Sequence, residues 1–133
     1  MENKIFEIEI KVRDYECDSQ GIVNNANYLH YMENTRHEFL CSLGHSFAES
    51  HKKGVDPVVT RADLQYKSSL TGGEIFISTL TVERTGVKII FHQNIYRKSD
   101  RVLCCKGKIE AVVLINRKLS RGDYYDELMK DYL

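Results

Sequence analysis

The chain has no excess of either charge, no long apolar run and no Cys-x-x-Cys pair, and each shortage closes off a class of protein. Nineteen basic residues are balanced by nineteen acidic ones, which argues against a nucleic-acid binder working through a strong basic field. Charges alternate along the chain and like-charge runs are as short as Lys52-Lys53, so no polybasic tail is present. No apolar stretch approaches the roughly 18 residues that span a bilayer. The first residues, Met1-Glu-Asn-Lys-Ile-Phe-Glu7, alternate and are charged, unlike the apolar core of a secretion signal. A cytoplasmic protein with no membrane span and no nucleic-acid partner is therefore expected. The spacing of Cys17, Cys41, Cys104 and Cys105 fits neither a zinc ribbon nor a thioredoxin motif. Reduced structural thiols are the plain reading, with Cys17 as a nucleophile the alternative. No internal repeat or low-complexity segment occurs.

What is present is enough for one folded domain, 1–133. An apolar content of 42% suits a packed core and not a disordered chain. Residues 5–13 alternate, with Phe6, Ile8, Ile10 and Val12 opposed to Glu7, Glu9, Lys11 and Arg13; this is a half-buried strand. A polar loop over 14–24 follows, with Gly21 as its flexible point. From Asn25 to Leu43 the period becomes helical, through Leu29, Met32, Phe39, Leu40 and Leu43 and widened by Tyr28 and Tyr31. Asn24 or Asn25 is the expected N-cap and Gly44 the residue past the end. Glu33 is placed to pair with Arg36 or His37. A short helix over 46–53 ends at Gly54.

The second half reads as strands over 57–67, 74–84, 87–97 and 101–116. Gly72-Gly73, Thr85-Gly86 and Ser99-Asp100 supply the turns, and turns this short join antiparallel strands. In the first of these strands Val59, Arg61, Asp63 and Gln65 are expected on one face. The tail carries Tyr125, Leu128, Met129 and Tyr132 at helical spacing. One long helix covers one face of a curved antiparallel sheet, an α+β arrangement. The other face is apolar near Ala111-Val-Val-Leu-Ile115, which calls for self-association or for cover by a C-terminal helix.

The chemistry concentrates in Asp18-Ser-Gln-Gly21-Ile-Val23-Asn24-Asn25-Ala-Asn-Tyr28. It sets an acidic side chain just ahead of a helix start, where unpaired N–H groups and about half a positive charge are found. Such donors, aimed at a carbonyl oxygen, are worth on the order of 3 kcal/mol each to an acyl-transfer transition state. The alternative for Asp18 is a turn residue bonded to its own backbone. Asn24 and Asn25 are capping residues or substrate contacts. The histidines lack partners at ligand spacing, so solvated or packed positions and no metal are expected.

This segment and the order of elements resemble the hotdog-fold acyl-CoA thioesterases, in their 4-hydroxybenzoyl-CoA thioesterase-like branch. The likeness rests on Asp18, Gly21, Ile22, Val23, Asn27 and Tyr28, then Tyr31, Glu33, Arg36 and Gly44, and spans roughly 5–120. It implies a hotdog fold, a sheet wrapped around the central helix. It implies a homodimer joined edge to edge, often a homotetramer, with active sites at the dimer interface. Asp18 would be the catalytic carboxylate, as nucleophile or general base. The backbone N–H of Asn25 would polarise the thioester carbonyl of an acyl-CoA or acyl-carrier-protein substrate. Gly21, Val23, Asn24 and Tyr28 would contact that substrate, and coenzyme A, as part of it, leaves no separate cofactor. Many relatives carry an aromatic residue and a histidine where Asn24 and Asn25 stand, and a proline near Ser69-Leu70. A hotdog dehydratase or hydratase would need a histidine near the carboxylate, and none neighbours Asp18 in sequence. A non-catalytic acyl-binding dimer is the third reading.

Overall fold

The computed structural model describes residues 4–133. Its strands are β1 (Phe6–Lys11), β2 (Val55–Tyr66), β3 (Ile75–Thr85), β4 (Lys88–Arg97), β5 (Leu103–Ile115) and β6 (Lys118–Leu119). The helices are α1 (Asn25–Ser42) and α2 (Phe47–Lys52). All strand pairs are antiparallel, in the order β1-β3-β4-β5-β2 with β6 on β5. This is the expected hotdog arrangement, a curved sheet around one long helix. Among the described residues no helix is long and apolar enough to cross a membrane.

The helix boundaries follow local chemistry. Asn24 caps α1, its side-chain oxygen accepting from the Ala26 N–H at 3.0 Å, and Ser46 caps α2 by accepting from Glu49. Helix α1 rests on the sheet through Tyr28, Tyr31, Met32, Thr35, Phe39 and Leu40. Leu29, expected in that stripe, is exposed; it lies one residue step around the helix from Tyr28, on a flank the sheet does not reach. Glu33 pairs with His37 at 3.8 Å, while Arg36 turns inward to Gln93.

The close approach of α1 to the sheet depends on Gly107. A Cβ there would lie 2.5 Å from the Met32 sulfur, so a side chain must displace Met32 or push helix and sheet apart. Gly107→Val is expected to cost about 1–3 kcal/mol of stability, measurable as a lowered urea midpoint. An unchanged midpoint would show that Met32 swings clear.

Three expectations need correction. The face assignment in β2 fails beyond Val59, because a register shift falls between Val59 and Arg61. The bulge adds one residue, so Val59 stays on the helix side while Arg61 moves to the outer side, 3.9 Å from Glu110. β2 also begins before Pro57, which is tolerated because β2 is an edge strand. Finally, the tail is not a helix but a run of turns over 124–132. Bonds such as Asp126 N–H to Asp123 O and Met129 N–H to Tyr125 O mix two spacings. The mixed turns let the segment bury Tyr125 and Met129. It packs on the helix side, with Tyr125 donating to Ser50 at 2.8 Å and Tyr132 against Phe39, so it does not cover the outer face.

Candidate active site

The loop between β1 and α1 is more ordered than a plain polar loop. It opens with a 3₁₀ turn at Asp14–Glu16 and is held by two bridges, Cys17 to Val23 and Ile22 to Thr71. Glu16 anchors it to the helix. Its carboxylate accepts from the Arg13 N–H at 2.8 Å and the Tyr31 hydroxyl at 3.0 Å. Its carbonyl accepts from the Asn24 N–H at 3.0 Å and the Asn27 side-chain amide at 2.7 Å. Burial and the Glu16 carboxylate both raise the Tyr31 hydroxyl pKa, so it remains a donor.

Asp18 starts a tight turn. Its N–H donates to Ile22 O at 2.8 Å and its carbonyl accepts from Gly21 at 3.0 Å. Gly21 sits at φ +78°, a conformation most side chains resist. One carboxylate oxygen of Asp18 accepts from the Gln20 N–H at 2.8 Å. The turn-residue reading is thus correct as far as it goes. The side chain is nonetheless exposed, and one turn bond leaves acceptor capacity for a ligand.

Asp18 lines a cleft of about 330 Å³ with Val23, Asn24, Asn25, Tyr28 and Tyr66. At the helix start the Ala26 N–H is taken by Asn24, and the Asn27 N–H reaches Asn24 O. Among the described residues the Asn25 N–H has no acceptor, so it is the free donor of the first turn. Of the residues singled out from the sequence, Asp18, Val23, Asn24, Asn25 and Tyr28 come together here. Gly21 does not line the cleft and acts through the turn. Tyr28 is buried, which pushes its hydroxyl up to about 12; it accepts from the Leu70 N–H at 3.4 Å.

The opposite wall was not legible as a site. Tyr66, at the end of β2, donates its hydroxyl to the Asn25 carbonyl at 3.2 Å and packs edge-on against Tyr28. Lys67, Ser68 and Ser69 continue that wall. Arg97 fixes it, donating to Ser69 O at 2.6 Å and Ser68 Oγ at 3.2 Å while paired with Glu74. No local motif marks these residues; from the sequence Tyr66 reads as a core residue or, with Tyr28 and Tyr31, as one that shapes a pocket. Tyr66→Phe removes the hydroxyl beside the helix start. It is expected to lower kcat/KM about tenfold, the size of one lost hydrogen bond, with the fold unchanged by circular dichroism. A wild-type kcat/KM would mean the hydroxyl has no part in the site.

Burial and the neighbouring Asp14, Asp18 and Glu16 all raise the Cys17 thiol pKa. A nucleophilic cysteine needs the reverse environment, so Cys17 is a poor nucleophile. Among the described residues no group of three or more His, Cys, Asp or Glu side chains is placed to hold a metal ion.

Residues 12–123 match the profile of the Thioesterase-like superfamily. The chain belongs to that family. It is similar to ATL3, an acyl-acyl carrier protein thioesterase of the Arabidopsis thaliana chloroplast, at 33% identity over 86% of this chain. The chain spans about three fifths of that relative, 61% of its length. It is also similar to YneP of Bacillus subtilis, a putative acyl-CoA thioesterase, at 37% identity over 71% of this chain and 69% of the relative. Among solved structures, a DHNA-CoA thioesterase from Staphylococcus aureus superposes with a TM-score of 0.81 at 26% identity, covering 99% of this chain and 89% of the other. Family membership thus meets the resemblance first carried by Asp18 and its neighbours.

Proposed function

We propose that this thioesterase-family chain hydrolyses an acyl thioester of coenzyme A or of acyl carrier protein to the free acid and thiol. The observation that carries the reading is one cleft lined by both Asp18 and Asn25, the first residue of α1. The chemistry needs those two groups and no cofactor. A thiolate is a tolerable leaving group, since a free thiol has a pKa of about 8.5. What remains is an attacking oxygen and a donor for the developing oxyanion. Asp18 deprotonates water, or attacks to give an anhydride that water cleaves. Val23, Asn24 and Tyr28 border the acyl-thioester end, and Gly21 lets the loop turn beside it. The relatives named as acyl-CoA and acyl-carrier-protein thioesterases support the reading. It is tested by following thiol release from a panel of both ester types; release from neither by the wild-type protein sinks it.

The active unit in this reading is a homodimer in the cytoplasm, where four free thiols stay reduced. β2 is twelve residues long, ends the sheet and exposes Val58 and Val59. A long apolar edge of this kind calls for a partner strand. The opposite edge, β1, is six residues with Glu7, Glu9 and Lys11 exposed. Two copies pairing through β2 satisfy the edge, and the outer sheet face is where we place contact between dimers in a tetramer. Sedimentation velocity is expected to give a dimer or tetramer; a monomer at micromolar concentration would refute the assembly.

A further inference from the structure

A second cleft, of about 410 Å³, lies between α1, α2 and the first half of β2. Its walls include Phe47, Pro57, Val59, Phe91 and Met129, and one cation stands in this apolar setting. Arg36 is half-buried, stacked 6.0 Å from the Phe91 ring centroid. Its hydrogen bond goes to the neutral Gln93 Oε1 at 2.9 Å, and Gln93 is in turn fixed to Met32 O. Among the described residues no carboxylate lies within 4.0 Å of the guanidinium. Two carboxylates also border the cleft, each beside a histidine, Glu33 by His37 and Asp56 by His51. Burial lowers the Arg36 pKa from its usual value, and the nearby Glu33 carboxylate opposes that shift more weakly. A guanidinium with most of its five donors unused, in an apolar cleft, is arranged to receive a planar anion.

The two clefts border the same edge strand at opposite ends. The Arg36 cleft touches β2 at Asp56, Pro57 and Val59, and the Asp18 cleft touches it at Tyr66. Antiparallel pairing of β2 with its own copy about the middle of the strand exchanges those ends. Tyr66 then lies across from the Val55–Pro57 segment of the other protomer. In such a dimer each thioester site would adjoin the Arg36 cleft of its partner. We propose that this compound channel takes an acyl group with a carboxylate at its far end, received by Arg36 across the dimer. The inference deepens the proposed hydrolase and rests on its dimer.

The test reads binding, so that it stands apart from turnover. Asp18→Asn protein is titrated with adipyl-, suberyl- and sebacyl-CoA, and with hexanoyl-, octanoyl- and decanoyl-CoA as matched esters lacking the carboxylate. For at least one length the carboxylated ester is expected to bind about tenfold tighter than its match. Arg36→Met is expected to collapse that ratio and Arg36→Lys to keep part of it. Melting curves confirm that each variant is folded. No preference at any length, or a preference that persists in Arg36→Met, overturns the proposal. So does a weakened dimer with an unchanged ratio, which would make Arg36 a subunit contact. A hydrolase with no carboxylate preference would leave the activity standing and the Arg36 role refuted.

Discussion

Asp18→Asn is expected to lower thiol release by on the order of a thousandfold, the scale of a lost general base or nucleophile. The substitution is chosen because it separates chemistry from structure. An amide oxygen still accepts the Gln20 N–H that Asp18 binds at 2.8 Å, so the turn at Gly21 and the cleft survive. What is lost is the negative charge that, in the proposed mechanism, attacks the thioester or deprotonates water. Substrate affinity and melting temperature are therefore expected to stay near wild type while kcat falls. Full retention of kcat would remove Asp18 from the mechanism. Single turnover in oxygen-18 water identifies direct attack where label enters Asp18. Direct attack leaves label in the Asp18 carboxylate when water cleaves the anhydride at the aspartyl carbon; general-base catalysis leaves none.

Phe39→Ala is expected to destabilise the fold by about 3–5 kcal/mol. Phe39 is almost wholly buried and joins three separate parts of the chain. Its ring lies 5.4 Å from Phe6 of β1 and 4.9 Å from Tyr132 of the tail. The tail has no continuous helix to hold it, so its order depends on such contacts. The variant is expected to show a lower urea midpoint and faster proteolysis beyond residue 120. A loss below about 1 kcal/mol would mean the surrounding rings close over the gap. The Asp18 cleft lies at the other end of α1, so activity below the melting transition should persist.

Most of the fold was legible because its signals are local. The alternation in β1, the asparagine cap of α1 and the glycine turns each depend on a few neighbouring residues. The exceptions are instructive. Leu29 fits a helical stripe by spacing, yet its exposure depends on how far the sheet extends beneath α1. The bulge after Val59 leaves no mark in an alternating sequence, because β-branched and polar residues stand on both sides of it. The tail has helical spacing, but spacing cannot say whether packing or helical hydrogen bonds win in so short a segment.

The site divides in the same way. The sequence by itself determined that an acidic residue, a glycine turn and a capped helix start follow one another within about ten residues, because these are properties of one continuous segment. Only the tertiary structure decided what faces them. The Tyr66 hydroxyl reaches Asn25 across 41 residues of chain, and Arg36 meets Gln93 across 57. Contacts at such separations are set by strand register and by the seating of α1 over Gly107, neither of which is written in any one stretch of sequence.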